Sequence, residues 1–155
     1  MVQWVPLFRL SPIHIRIIAR GFCRVFPHTT LWYDGTSLLL IGRRGGPLRI
    51  DLQRFLRRAG QPGVQESLAL IGGPQPMVLL ASYVTGPSSL ERFLGRGTPD
   101  NSDDFPYLEY AVLTEGIPTR EDLAANLELL LDHFTPTDEW LSLLDPGGFF
   151  WQRLC

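Results

Sequence analysis

The side chains best suited to chemistry in this sequence lie close together, between Asp100 and Glu109. Asn101, Asp103 and Asp104 stand between them in a polar stretch that is typical of a loop. Carboxylates gathered on a loop could attract an amine or another cation. Asn and Asp are also the residues that most readily form local turn hydrogen bonds. The stretch therefore has two interpretations, a ligand-side loop or a rigid structural loop that ties the later part of the chain to the sheet.

The other residues that could do chemistry form no recognisable site. The histidines, His14, His28 and His133, fall in three different predicted elements, and none has a Cys or Glu at metal-ligand spacing. We expect them to be surface or packing residues. No serine lies in a Gly-x-Ser-x-Gly turn. The sequence therefore predicts no catalytic residue, no cofactor-binding residue and no metal ligand.

A glycine-rich run from Gly42 to Gly46 superficially resembles a phosphate-binding loop. It leads into Pro47 instead of directly into a helix, and its spacing is wrong for that motif. We interpret it as a connection. The chain also contains no lysine, so it offers neither a Schiff-base lysine nor a phosphate-loop lysine.

Charge is unevenly distributed along the chain. Residues 1–60 contain ten of the 14 arginines and only two acidic residues, Asp34 and Asp51. This basic half could neutralise the acidic remainder on packing, or it could form a face for nucleic acid or lipid. We favour neutralisation, and predict no nucleic-acid partner, because lysine is absent and aromatic residues are not interleaved with the arginines.

Composition predicts one folded domain of ordinary size. The chain has 155 residues, of which 45% are hydrophobic and 19% charged. Cys23 and Cys155 are far apart and suggest reduced thiols and a cytoplasmic location. Residues 1–10 do not resemble a signal peptide. The most hydrophobic long window, Leu68 to Val84, is broken by glycine and proline, so we expect no direct membrane insertion by this chain.

The elements that would position these groups are organised around a β-hairpin. Two β-prone runs, Thr29–Tyr33 and Ser37–Ile41, flank Asp34-Gly35, a strong turn signal. The second run is apolar without alternation at Leu38–Ile41, which predicts that both of its faces are covered.

A strand and a helix are predicted before the hairpin. The strand runs from Val2 to Phe8 and ends near Pro6, and the helix starts at Ser11-Pro12. The helix is predicted to bury Ile13, Ile17, Ile18, Phe22, Val25 and Phe26 and to expose Arg16, Arg20 and Arg24.

After the hairpin the sequence predicts mainly helices. Asp51 caps the first of them, and short helices follow at Val64–Ile71, Gln75–Thr85 and Ser88–Leu94. Phe105–Tyr110 is predicted to be extended. Thr119–Phe134 is the clearest helix, with Thr119 and Asp122 as a capping box. Its predicted apolar stripe is Leu123, Leu127, Leu130 and Leu131, and a second box-like start at Thr135–Asp138 opens a last helix.

Three stretches of the chain resemble, in the same order, the carboxyl-terminal part of spermidine synthase-like proteins. They are Gln3-Trp4-Val5-Pro6-Leu7-Phe8 with Ser11-Pro12, then Phe26-Pro27-His28-Thr29-Thr30-Leu31-Trp32, and then Asn101-Ser102-Asp103-Asp104-Phe105-Pro106-Tyr107-Leu108-Glu109-Tyr110. The most similar type is the bacterial one in which a synthase-like domain follows membrane-spanning segments. The last of the three runs is the most specific.

The resemblance implies an α/β fold, the carboxyl-terminal half of a methyltransferase-like doubly wound sheet that ends in an antiparallel β-hairpin and is followed by a helical tail. Residues 1–58 would be the partial sheet, with a strand, a helix, the hairpin and a second helix. Residues 59–155 would be a helical carboxyl-terminal extension packed on it. Val2–Phe8 would then be a late parallel strand, followed by its crossover helix.

Complete members of this family transfer an aminopropyl group from decarboxylated S-adenosylmethionine, the co-substrate, to putrescine in polyamine biosynthesis. Their glycine-rich cofactor loop, ribose-binding acidic residue and catalytic Asp precede the position equivalent to Val2. This chain contains none of them, so the resemblance implies a fragment that is inactive alone.

The partner implied by the resemblance is the missing amino-terminal half or a partner subunit, which would cover an unpaired sheet edge beside Val2–Phe8. The location would be cytoplasmic, with a membrane tether if the chain is fused to upstream spans. A stand-alone protein-interaction or accessory module without catalysis is the alternative, and a second copy of the chain is an alternative partner.

Overall fold

The computed structural model describes residues 1–70, 75–115, 119–134 and 137–145. It has a mixed α/β fold built on a four-stranded antiparallel sheet with the strand order β1-β3-β2-β5, and β4 pairs with β6 in a separate two-stranded sheet. The strands are β1 Val2–Pro6, β2 His28–Tyr33, β3 Ser37–Arg43, β4 Ile50–Asp51, β5 Tyr83–Thr85 and β6 Leu144–Asp145. The helices are α1 Pro12–Val25, α2 Leu52–Ala59, α3 Pro62–Leu70, α4 Pro76–Ala81, α5 Pro87–Leu94, α6 Tyr107–Glu115, α7 Arg120–Leu131 and α8 Thr137–Leu143.

The predicted hairpin is confirmed as β2 and β3. Gly35 adopts φ +101°, a conformation that glycine reaches without a steric penalty. The Asp34 carboxylate accepts hydrogen bonds from the backbone N–H groups of Thr36 at 2.9 Å and Ser37 at 2.7 Å. Local turn chemistry therefore fixes the register of the two central strands.

Strand β1 pairs with β3 in the antiparallel sense and lies at one edge of the sheet. Because β2 is also antiparallel to β3, β1 and β2 run in the same direction and are linked by the crossover helix α1. The predicted late parallel strand is thus parallel to β2, but its hydrogen-bonded neighbour among the described strands is the antiparallel β3.

The two edges of β1 differ in their hydrogen bonding. Met1 exchanges backbone hydrogen bonds with Gly42, and the Leu7 N–H donates to the Thr36 carbonyl. Since hydrogen-bonded and non-bonded pairs alternate along an antiparallel ladder, the odd-numbered residues of β1 face β3. The N–H and C=O groups of Val2 and Trp4 therefore point toward the other edge, which pairs with no strand among the described residues, and the Trp4 carbonyl accepts a hydrogen bond there from the Gln3 side chain at 3.0 Å.

Helix α1 begins as predicted, and its buried face agrees with the prediction in part. Ser11 precedes the helix, and its N–H donates to the His14 Nδ1 atom at 3.4 Å. The buried residues are His14, Ile15, Ile17 and Ala19, whereas Val25 is exposed. Ile17 is buried and Ile18 and Phe22 pack against the core as predicted. The prediction was wrong for Val25, and it missed the polar His14, which is turned inward with its ring edge-on to Tyr107.

Apolar cores lie on both faces of the sheet, which confirms the prediction for Leu38–Ile41. Leu38 and Leu40 belong to a buried cluster with helices α1, α5 and α7. Leu39 and Ile41 pack on the opposite side against a second cluster around Trp32 and Tyr83.

Two predictions for the middle of the chain were wrong. The predicted helix Gln75–Thr85 is the short helix α4 followed by strand β5, whose three residues are all buried and pair with β2. The predicted extended segment Phe105–Tyr110 contains the start of helix α6. The amide oxygen of Asn101 accepts a hydrogen bond from the Leu108 N–H at 2.8 Å, and this distant cap supports the helical turn.

Helix α7 has the predicted capping box. The Thr119 hydroxyl accepts hydrogen bonds from Glu121 and Asp122, and the Asp122 carboxylate accepts from the Thr119 N–H at 2.6 Å. The predicted apolar stripe was wrong at its end, because Leu131 is 69% exposed while Leu129 is buried.

Helix α8 is present, whereas the predicted residues Thr135 and Pro136 of its start lie outside the described residues, as do Ile71 and Cys155. The pairing of β4 with β6 was not predicted. The division of the chain at residue 58 stays a prediction, and strand β5 contributes to the sheet from beyond that position. In the parts of the chain that the structure describes, no helix combines the length and apolar character needed to cross a membrane.

Candidate functional site

The acidic loop lies beside the carboxyl-terminal half of α1. Asp100 is its anchor, because one carboxylate oxygen is 3.0 Å from Arg20 Nε and the other is 2.6 Å from Arg24 Nη2. Arg16 donates through Nε to the Phe93 carbonyl at 3.0 Å. The predicted solvated face is confirmed only in part: the Arg24 side chain is 58% exposed and that of Arg20 33%, and all three arginines also join α1 to the later part of the chain. At this contact the basic half neutralises the acidic half.

The four predicted loop residues have different surroundings. Asn101 caps α6, and Glu109 lies in the first turn of that helix, where a carboxylate interacts favourably with the helix dipole. Asp103 and Asp104 are exposed, and neither has a hydrogen-bond or ion-pair partner within the described residues. The four side chains therefore do not converge on one point.

Of these four residues, only Asp104 lines the open groove beside the loop. This groove has a volume of about 590 Å³, and Arg24, Asp100 and the exposed ring of Phe105 line it as well. The loop thus combines structural contacts, made by Asp100 and Asn101, with free carboxylates that could only interact with a ligand from solvent.

Substitutions can separate these two parts of the loop. We expect Asn101→Ala to lower the free energy of unfolding by about 1 kcal/mol, the usual loss for a helix cap. Asp103→Ala should leave the melting temperature unchanged, because the structure gives this side chain no partner within the described residues. Thermal unfolding followed by circular dichroism measures both effects. A larger loss for Asp103→Ala than for Asn101→Ala would show that Asp103 is the structural residue.

A second polar cluster lies at the start of α5 and was not found from the sequence. The Glu139 carboxylate of α8 accepts hydrogen bonds from the Ser88 N–H at 3.1 Å and from the Ser88 hydroxyl. It therefore caps a helix that is 51 residues away in the sequence. No sequence signal identifies such a cap, since neither residue is close to the other along the chain.

Tyr83 lies against Glu139 and is only 4% exposed. Its hydroxyl has no hydrogen-bond partner within the described residues. Burial raises the pKa of Tyr83 well above its ordinary value, and the negative charge of Glu139 raises it further. The phenol is therefore neutral in the folded protein over the physiological pH range.

The raised pKa of Tyr83 predicts a loss of stability in alkali. In the unfolded chain the Tyr83 phenol ionises at about pH 10. In the folded protein it keeps its proton at that pH. The unfolded state then binds fewer protons, so stability falls as pH rises above that value. Tyr83→Phe should remove this part of the fall and should not destabilise the protein at pH 7, because the hydroxyl makes no hydrogen bond among the described residues. Urea unfolding at neutral and alkaline pH tests both points, and identical alkaline profiles for the two proteins would refute the assignment.

An apolar cavity of about 690 Å³ adjoins this cluster, and Leu48, Leu52, Met77, Trp140 and Glu139 are among its lining residues. The Trp140 indole N–H donates to the Leu80 carbonyl at 3.0 Å, so the ring is fixed in the cavity wall. The buried Glu139 oxygen without a partner is inaccessible to solvent, so it is not presented to a ligand.

The remaining residues that could do chemistry are packed into the fold. His14 is buried, and the His133 ring lies edge-on to Phe93 at 5.6 Å between centroids. Burial raises the pKa of the Cys23 thiol, which makes it a weaker nucleophile. Among the described residues, no group of three or more His, Cys, Asp or Glu side chains could hold a metal ion.

Comparisons of this chain with models of protein families, with curated proteins and with solved structures found no match. The class of protein that the structure itself defines is a small mixed α/β domain with an antiparallel sheet and a helical tail.

Proposed function

We propose that this chain is the carboxyl-terminal segment of a spermidine synthase-like protein, which completes a larger α/β sheet and has no aminopropyl transfer activity alone. The observation that carries the proposal is the arrangement of β1, α1, β2 and β3. A strand is followed by a crossover helix, and the chain then forms an antiparallel pair in which β2 runs parallel to β1. The resemblance implies this order of elements.

The free edge of β1 gives the proposal a physical basis. Val2 and Trp4 direct their backbone groups away from β3, and their side chains are 56% and 53% exposed. Soluble proteins normally protect a strand edge with charge, proline or a covering element, because an open edge recruits other strands. Here the edge is apolar, with Pro6 at its end. The Trp4 carbonyl already accepts a hydrogen bond from the Gln3 side chain at 3.0 Å. An additional strand could pair with the other edge groups of Val2 and Trp4 and cover these side chains.

The chemistry of transfer requires groups that the described residues do not bring together. An amine must attack the carbon beside a sulfonium, and an acidic residue must orient and deprotonate that amine. A glycine-rich strand-to-helix turn would also be needed for the co-substrate. The loop after β1 is Leu7–Ser11, which contains no glycine, and the acidic loop lies at α6. We therefore derive no transfer step for this chain.

The proposal predicts that β1 pairs with another strand when one is offered. We expect the isolated chain to self-associate in sedimentation velocity as its concentration rises. Val2→Lys should reduce this association, because a charge on an edge strand blocks strand addition. Val78→Lys is the matched control, since Val78 is 55% exposed on α4, away from the edge. A monodisperse monomer at every concentration, or an equal effect of both variants, would contradict the proposed role of the edge.

The catalytic part of the proposal has its own assay. The purified chain should form no product from putrescine and decarboxylated S-adenosylmethionine. Measurable aminopropyl transfer by this chain would overturn the proposal.

The same free edge also supports a second candidate function, a stand-alone module that docks on a partner subunit through β1. This alternative predicts that one specific protein co-purifies with the chain and that Val2→Lys abolishes the interaction. Co-purification that survives Val2→Lys would count against it.

A further inference from the structure

A large groove runs between the carboxyl-terminal half of α1 and α5 with the loop that follows it. Its volume is about 1110 Å³, slightly above the usual range of small-ligand sites. Arg20 and Arg24 line it from α1, while Arg92 and Arg96 line it from α5 and its loop. Four arginines from two elements of the fold therefore line this groove.

The carboxylates at this groove do not balance its arginines. Asp100 is shared by Arg20 and Arg24, and Glu91 is the acidic residue that lines the groove. Arg92 and Arg96 are exposed, and neither has a hydrogen-bond or ion-pair partner within the described residues. The Glu139 carboxylate, which Ser88 binds at the start of α5, is a third negative charge near the groove. Four guanidinium groups against three carboxylates still leave a net positive charge.

The contact of Asp100 shows what the α1 wall can bind. Two guanidinium groups hold the two oxygens of one carboxylate, at 3.0 Å and 2.6 Å. Guanidinium groups bind phosphate oxygens through charge-assisted hydrogen bonds of the same kind. The groove therefore has the right chemistry for an oxyanion, and its second pair of arginines is available for one.

The loop that carries Arg96 is fixed by its own contacts. Gly95 and Gly97 have φ values of +71° and +83°, which favour glycine on both sides of Arg96. The Gly95 N–H donates to the Glu91 carbonyl at 3.2 Å, and the Thr98 hydroxyl donates to the Leu94 carbonyl. Because the backbone on both sides of Arg96 is held, the loop keeps this arginine at the groove.

We propose that this groove binds a small ligand through a phosphate or pyrophosphate group, with Arg92 and Arg96 as the contacts to its oxygens. Interleaved carboxylates favour a compact anion over an extended polyanion, because a nucleic-acid backbone lying along the groove would also meet Glu91 and Asp100. The inference does not depend on the edge of β1, which lies elsewhere in the sheet.

Inorganic pyrophosphate is the probe for this site, and isothermal titration calorimetry at low ionic strength is the measurement. We expect saturable binding to the unaltered chain. The double variant Arg92→Gln and Arg96→Gln should weaken it by at least about tenfold, since each charge-assisted hydrogen bond contributes roughly a factor of ten. Both side chains are exposed, so circular dichroism should show an unchanged melting temperature.

The matched control is the double variant Arg57→Gln and Arg58→Gln, which removes two exposed arginines of α2 outside this groove. This control should bind pyrophosphate as the unaltered chain does. No saturable binding, or equal losses in the two double variants, would overturn the proposal. Binding of single-stranded DNA that depends on Arg92 and Arg96, without binding of pyrophosphate, would also overturn it and would assign the groove to a polyanion.

Discussion

Replacing Asn126 with alanine is expected to lower the free energy of unfolding by about 3 kcal/mol, or the melting temperature by about 10 °C. Asn126 lies in α7 and is completely buried. Its Nδ2 atom donates hydrogen bonds to the carbonyl groups of Leu7 at 2.8 Å and Leu10 at 2.6 Å. These carbonyls belong to the connection between β1 and α1, so one amide holds the helical tail to the first strand.

The size of this effect follows from what alanine leaves behind. The buried Leu7 carbonyl and the partly buried Leu10 carbonyl would lose their donor, and each unsatisfied buried polar group costs about 1–3 kcal/mol. The shorter side chain would also leave a cavity between α7 and the connection. A loss of this size is a large part of the stability of an ordinary domain, which is about 5–15 kcal/mol.

Two further variants make the prediction for Asn126 specific. Asn126→Leu fills a similar volume but donates no hydrogen bond, so it should be destabilising as well. Glu128→Ala changes an exposed residue of the same helix and should have little effect. Chemical denaturation of the three variants measures the differences. If Asn126→Leu is as stable as the unaltered chain, the two hydrogen bonds do not hold the tail to the sheet.

Gly42→Ala should lower the free energy of unfolding by about 1–3 kcal/mol, the usual cost of overpacking a core. A Cβ atom at this position of β3 would lie 2.5 Å from Phe22 Cε1 and 2.6 Å from Phe26 Cβ. The tip of the Phe22 ring could move, but the Cβ of Phe26 is attached to the backbone. Helix α1 approaches β3 this closely only because Gly42 has no side chain.

Gly45→Ala is the control for this substitution, because a Cβ there would meet nothing within 4 Å. The two substituted glycines are only three positions apart in the same glycine-rich run. Thermal unfolding should separate them clearly. Equal melting temperatures would mean that α1 does not pack on Gly42 as described.

Local signals were enough to predict the elements whose cause is local. Asp34-Gly35 makes its turn through the Asp34 carboxylate and the positive φ of Gly35. Asp51 accepts a hydrogen bond from the Arg54 N–H at 2.8 Å, as expected for a helix cap. The capping box of Thr119 and Asp122 also depends on residues three apart. In each case, neighbouring residues supply both hydrogen-bonding partners.

The incorrect predictions involve partners beyond the adjacent turn, from seven positions away for Asn101 and Leu108 to 119 positions away for Asn126 and Leu7. Phe105–Tyr110 has β-prone residues, but Asn101 caps the helix that begins there. Strand β5 is short, and its conformation is decided by pairing with β2. In α7 the buried Asn126 selects the face that turns inward, so Leu129 is buried while Leu131 is exposed.

The candidate site was predicted only in part for the same reason. The acidic loop was found from its composition, and its structural interpretation holds for Asn101, which caps α6. The arginines that hold Asp100 are 76 and 80 positions away. The cap that Glu139 provides and the groove with Arg92 and Arg96 likewise require α5 to be placed against other helices, which no local pattern reveals.

The central claim is that this chain completes a larger sheet whose preceding strands pair at β1. The most direct measurement is to sequence the genomic DNA immediately upstream of the Met1 codon and to translate it in the same frame. We expect the frame to continue into a strand, a glycine-rich turn and an acidic residue about 20 positions further on. A stop codon in that frame close to Met1 would contradict the claim and would favour the alternative, in which the edge of β1 docks on a partner subunit.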